Sequence, residues 1–198
     1  YAAVAARAPL NPQRRTVLLA GDIAVKINDF ANGGIVRRLN ERGLQVAIEP
    51  SQTLLEYAAT EAPGEIARTG EGRGRALVAM GLRRMRRKQY DRVRKLHPWI
   101  PDGAVAPILA ESDRVLGRHP RGEAPVTIGS VLHYWKERLC DGAVIVSPWG
   151  CGPALVSESI LRHQAEIPML FVYNDGAPID ERRLNAFAFR LRREPARA

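Results

Sequence analysis

Four short, mostly apolar runs punctuate the chain, and each is stopped by turn-forming residues. Thr16-Val-Leu-Leu-Ala20 ends at Gly21-Asp22, and Leu44-Gln-Val-Ala-Ile-Glu49 ends at Pro50. Ala143-Val-Ile-Val-Ser147 ends at Pro148, and Pro168-Met-Leu-Phe-Val-Tyr173 ends at Asn174-Asp175-Gly176. Near-continuous apolar runs of this length predict strands covered on both faces, as in a parallel sheet. Helical spacing fills the intervals. A helix is expected at 32–42, with Ile35, Val36 and Leu39 on one face and Gly43 as its stop. Others are expected at 52–60 after a Ser51 N-cap, at 75–96, at 103–117, at 128–139, at 153–164 and at 180–193. Three segments read as loops: 23–34, holding Asn28, Asp29 and Asn32; the glycine-rich 61–75; and the polar 118–125. Asn32 is a plausible cap for its helix.

This alternation implies an α/β, flavodoxin-like three-layer fold with right-handed crossovers. The expected sheet is small, four-stranded and mostly parallel, in strand order 2-1-3-4. A single α/β domain is expected over 15–198, with a helical insertion at about 61–125. Residues 1–14, rich in Ala and Pro, read as a flexible linker to a longer protein.

Composition narrows the function classes. The 198 residues carry a formal charge of +9, mostly arginine, which favours anionic partners. The basic concentration lies at 75–96, in Arg83-Arg84-Met85-Arg86-Arg87-Lys88 and then Arg92, Arg94 and Lys95. Such a run suits a polyanion, a coenzyme phosphate or an acidic partner domain, or is simply a solvated helix face. Only Tyr90 interleaves it and no nucleic-acid module signature appears, so nucleic acid is not the expected partner. No apolar run approaches about 18 residues, so no membrane helix is expected. Two cysteines exclude a disulfide scaffold or a four-cysteine metal site within the chain. Cys140 and Cys151 flank the third strand, so they are expected at opposite ends of the sheet, reduced, in a cytoplasmic protein. His97, His119 and His163 are isolated and show no metal spacing, and Gly70-Glu-Gly-Arg-Gly-Arg75 lacks the strand and ending of a phosphate loop.

The candidate chemistry gathers at the carboxyl edge of the sheet, where α/β folds bind ligands. Gly21, Asp22 and Asn28 follow strand one. Ser147, Trp149, Gly150, Cys151 and Gly152 follow strand three. Asn174 and Asp175 follow strand four. A thiol at a helix N-terminus suits chemistry, because the free amides favour its thiolate. Flanking glycines let a bulky ligand approach. Plainer readings stand beside these. Cys151 can be a small apolar residue in a tight turn, and Asp22, Asn28 and Asp175 can be turn formers.

Three segments in order carry a resemblance. Gly21-Asp-Ile-Ala-Val-Lys-Ile-Asn-Asp-Phe-Ala-Asn32 is followed by Arg42-Gly-Leu-Gln-Val-Ala-Ile-Glu-Pro50. Ser147-Pro-Trp-Gly-Cys-Gly-Pro-Ala154 comes next, and then Tyr173-Asn-Asp-Gly176 with Arg183-Leu-Asn-Ala-Phe187. Together, over about residues 15–193, they resemble the last α/β domain of the 2-hydroxyacyl-CoA dehydratase family, above all its activase-related multidomain members. The resemblance implies an iron–sulfur protein in ATP-driven, low-potential electron transfer to acyl-CoA chemistry. It implies that Cys151 is the metal ligand, giving one thiolate to a [4Fe-4S]-type cluster completed by other domains or subunits of the same system. Gly150, Gly152, Trp149, Asp22, Asn28 and Asp175 would surround the group, and acyl-CoA would be a partner. Asp22 stands where the family has glutamate, and no ATPase module accompanies it, so this chain is not expected to hydrolyse ATP or dehydrate a substrate alone. The alternatives are a non-catalytic α/β interaction domain without a cluster, or a basic polyanion-binding module.

Overall fold

The computed structural model describes residues 14–60, 72–93, 95, 103–116 and 122–193. Its centre is a parallel sheet of β1 (Thr16–Gly21), β2 (Gln45–Ile48), β3 (Gly142–Pro148) and β4 (Met169–Asn174), in the order β2-β1-β3-β4. Leu19 lies opposite Ile48 on one side and Val144 on the other, and Ser147 lies opposite Tyr173. The expected α/β, flavodoxin-like three-layer architecture is therefore present, strand order included.

The two-residue alternation of the strands sorts their side chains into two cores. Val17, Leu19, Val144 and Val146 pack against Ile35 and Leu39 of α2 (Ile35–Glu41) and Leu184, Phe187 and Leu191 of α8 (Glu181–Arg193). Leu18, Ala20, Ala143 and Ile145 pack against Ile108 of α5 (Val105–Asp113), Ile128, Val131 and Tyr134 of α6 (Ala124–Lys136), and Leu161 of α7 (Gly152–Leu161). Burying each large aliphatic side chain is worth about 1.5–3 kcal/mol, so both faces of the sheet must stay covered. The buried positions of α8, 184, 187, 188 and 191, follow helical spacing, which is why its face is so clearly written in the sequence.

Four described helices lie between β2 and β3: α3 (Ser51–Thr60), α4 (Gly72–Val93), α5 and α6. Arg83 and Arg86 of α4 clamp Glu56 of α3, at 2.7 and 3.1 Å. Thr53 donates from Oγ1 to the Gly103 carbonyl, and the Gly103 amide donates to the Tyr134 hydroxyl, tying α3, the start of α5 and α6 together. Among the described residues no helix is long and apolar enough to cross a membrane.

Several expectations need correction. The segment 23–34 is not all loop, because α1 (Ile23–Ile27) forms there. Asp22 creates it by accepting from the amides of Ala24 and Val25, both at 2.9 Å. Five residues are too few to show a periodic pattern. Helix α6 starts at Ala124, four residues before the expected 128, with Pro125 in its first turn. Ser51 is the first helical residue of α3, not a cap outside it, and α4 begins at Gly72, inside the expected glycine loop. Residues 1–13 of the expected 1–14 linker and most of that loop, 61–71, lie outside the described residues.

Candidate functional site

The loops expected to converge do so. The Asp22 amide donates to the Val146 carbonyl at 2.9 Å, joining the end of β1 to β3. The Trp149 amide donates to the Asn174 carbonyl at 3.0 Å, joining the end of β3 to β4. Gly21 makes the first junction possible: at φ 108°, a Cβ there would stand 2.2 Å from the Val146 oxygen.

Cys151 occupies the N-cap of α7, with φ −64° and ψ 115°, and its side chain makes no capping bond. Its carbonyl accepts from the Leu155 amide at 3.0 Å, and its own amide donates to Pro148 at 3.4 Å. The residue is half-buried. Gly150, at φ 76°, turns the chain into the cap, and the space around Gly150 and Gly152 is open where a Cβ would project. Cys140 is 4% exposed, packed into the core ahead of β3. The two thiols are thus separated by a strand of seven residues, roughly 23 Å at ~3.3 Å each, as expected.

Trp149 is 72% exposed and stands edge-on to Tyr173 of β4, ring centres 5.9 Å apart. Tyr173 is anchored from behind, its hydroxyl donating to Glu158 of α7, which Arg162 also pairs. Burial and the Glu158 carboxylate push the Tyr173 phenol well above its ordinary value. Burial works against ionised Glu158, yet the Tyr173 hydroxyl and the Arg162 guanidinium hold it below the usual carboxylate range.

The other candidates serve the backbone. Asp22 caps α1. Asn28 Oδ1 accepts from Phe30 and Ala31 at 3.0 and 3.2 Å, and Asp175 Oδ1 accepts from Ala177 at 2.9 Å. Asn32, 2% exposed, closes the α1–α2 turn. Its Oδ1 accepts from Gly34 and Ile35, and its Nδ2 donates to the Val25 carbonyl. A cavity of about 270 Å³ opens on the same edge, lined by Asn32, Arg38, Val146, Val172, Tyr173 and Pro178 among others. None of Asp22, Asn28, Trp149, Gly150, Cys151, Gly152 and Asp175 lines it.

Sequence reasoning missed a charged group on this edge. Lys26 of α1 and Glu49, directly after β2, form a buried ion pair at 2.8 Å. Beside them Glu123, at the N-cap of α6, accepts from the Ile23 amide at 3.3 Å. Burial raises the Glu123 carboxyl, with Asp22 and Glu49 adding to the effect and the Ile23 amide and Lys26 opposing it. A carboxylate placed immediately after a buried strand, as in Val46-Ala-Ile-Glu49, was the available signal. Among the described residues no three His, Cys, Asp or Glu side chains gather where they could hold a metal ion. The edge therefore offers one accessible thiol beside an aromatic pair, not a complete ligand set. In comparison with known proteins, no family model, no curated protein and no solved structure matches the chain.

Proposed function

We propose that this chain is the C-terminal α/β domain of a 2-hydroxyacyl-CoA dehydratase/activase-related iron–sulfur protein of the cytoplasm. In it, Cys151 gives one thiolate to a [4Fe-4S]-type cluster completed by other domains or subunits, within ATP-driven electron transfer to acyl-CoA. The observation that carries this reading is the placement of Cys151. It is a half-buried thiol at a helix N-terminus on the carboxyl edge of the sheet, its flanking glycines leaving open space. The residues fit a cluster only as a shared group, since Cys140 is buried ahead of the strand and, among the described residues, no three His, Cys, Asp or Glu side chains gather around a metal position.

When bound, such a cluster supplies one-electron chemistry at a potential set by its charge, hydrogen bonds and exposure. The chain's own residues hold the thiol in position. The Leu155 and Pro148 hydrogen bonds fix the Cys151 backbone, and Trp149, braced by Tyr173, presents an apolar surface from the same loop. The net charge of +9 suits an anionic coenzyme nearby.

Anaerobic reconstitution of the full-length protein with iron and sulfide tests this. Cys151→Ala should lower iron content and the cluster absorbance, while Cys140→Ala should not. A second reading, an interaction domain that binds no cluster, is favoured by the capping roles of Asp22, Asn28 and Asp175. It expects equal iron in wild type and Cys151→Ala, and that result would overturn the ligand role.

A further inference from the structure

The proposed site leaves the basic helix α4 without a role. Its 22 residues carry eight Lys and Arg against one Asp. Arg83 and Arg86 are spent on Glu56. Arg84, Arg87, Lys88 and Arg92 are exposed and form no ion pair with any described residue. Alongside them Leu77, Val78, Met80 and Met85 are 63%, 56%, 61% and 46% exposed. Scattered exposed apolar residues are ordinary, but Leu77, Val78 and Met85 lie on one side of the helix and make a patch, with Met80 outside it.

Helical geometry organises this surface. At about 100° per residue, Gly74, Leu77, Val78, Gly81, Met85, Lys88 and Arg92 share one sector about 100° wide. Arg86, buried against α3, lies away from it. Gly74 and Gly81, seven residues apart, sit near the middle of the sector, and a Cβ at either would meet nothing within 4 Å. Along the axis the sector changes character. It is apolar and notched by glycine as far as Met85, then cationic through Lys88 and Arg92, with Arg84 at its flank.

We infer that the outward face of α4 is a docking surface for an acidic amphipathic helix of a partner polypeptide. The partner helix runs antiparallel, its acidic N-terminal half against Arg84, Lys88 and Arg92 and its apolar C-terminal half over the Gly74–Gly81 notch. Charge complementarity sets the acidic half. The glycines let two helix backbones approach closely, as ridge-and-groove packing requires. Direction follows from dipoles, because acidic residues belong at a helix N-terminus and the cationic half of α4 is its C-terminal half. A helix lying in a lipid surface instead keeps its cations along the edges of a full-length apolar stripe. Binding to single-stranded nucleic acid draws on exposed aromatics for stacking, and this sector has none.

Two fluorescein-labelled helical peptides test the inference by anisotropy against the whole chain. One presents glutamates in its first turns and leucine and alanine in its last, and the other has the reverse order. The acid-first peptide should bind roughly tenfold or more tightly than the acid-last one. Gly81→Leu should weaken it by a similar factor, although leucine strengthens an exposed helix and so does not unfold α4. The triple change Arg84→Glu, Lys88→Glu, Arg92→Glu should do the same, with far-ultraviolet circular dichroism unchanged. Absent binding, equal affinity for the two peptides, indifference to Gly81→Leu, or tighter binding to phosphatidylcholine/phosphatidylglycerol vesicles or oligouridine RNA at the same salt would each overturn it. The outcome is independent of iron content, so it stands or falls apart from the role of Cys151.

Discussion

Lys26 Nζ lies 2.8 Å from Glu49 Oε2, and the two side chains are 2% and 1% exposed. The pair joins the short helix after β1 to the end of β2, at the edge where the candidate loops meet. Glu49 Oε1 forms no hydrogen bond with a described residue. Two charges have been taken from water here with only one close contact between them, so the pair is a poor source of net stability and a severe liability when halved.

Lys26→Met should therefore destabilise the protein by about 3–5 kcal/mol, because Glu49 would be left buried without a counter-charge. The double variant Lys26→Met, Glu49→Met should recover most of that loss. Urea unfolding of both variants checks this, and equal losses would show that the pair itself holds the edge together.

Gly129 of α6 sits where α5 crosses, and a Cβ there would lie 2.1 Å from the Ile108 carbonyl oxygen. Alanine favours a helix interior over glycine by about 1 kcal/mol. Overpacking a close crossing costs about 1–3 kcal/mol, and here backbone atoms would have to move. The second effect wins, so Gly129→Ala should lower stability. An unchanged urea midpoint would mean that α5 can shift freely.

The sheet was legible because its strands are near-continuous apolar runs ended by Gly21, Pro50, Pro148 and Asn174, and parallel crossovers leave few orders to choose from. The convergence of the Trp149–Cys151 loop with Asn174 followed from that order, whereas the Trp149–Tyr173 ring contact did not. Helix α1 was not legible, since it depends on two backbone amides donating to Asp22 and not on a periodic face. The Lys26–Glu49 contact joins residues 23 apart in sequence and exists only once β1 and β2 are in register. Pro125 could have marked the early start of α6, because proline suits a first helical turn.

Glu123 gives the carboxyl edge a pH dependence of definite sign. Its folded-state pKa is raised, so the folded protein binds the proton more tightly than the unfolded chain. Stability should then fall as pH rises from the ordinary carboxylate range through the raised folded value. Glu123→Gln keeps an oxygen for the Ile23 amide and removes the charge. The variant should be more stable than wild type at pH 7, with the difference shrinking toward pH 4. Unfolding midpoints across that range decide it, and a constant difference would mean that Glu123 ionises alike in both states.

Tyr173 and Glu158 make the opposite end of the pH scale informative. The tyrosine hydroxyl donates to a carboxylate that Arg162 also holds. A hydrogen bond to a charged group contributes about 1.5–3 kcal/mol, and the remaining Arg162 contact places Tyr173→Phe near the lower figure. The phenol is raised in the fold, so its contribution is complete below the unfolded tyrosine value and is lost as pH climbs beyond it. Wild type should thus lose stability more steeply than Tyr173→Phe above about pH 10, the unperturbed tyrosine value. Because Trp149 rests edge-on against the same ring, its fluorescence should respond to alkaline titration in wild type well before unfolding only if the phenol ionises in the native state. A native-state fluorescence transition near pH 10 would mean that Glu158 does not hold the tyrosine proton, and the brace behind the Cys151 loop would be weaker than the geometry implies.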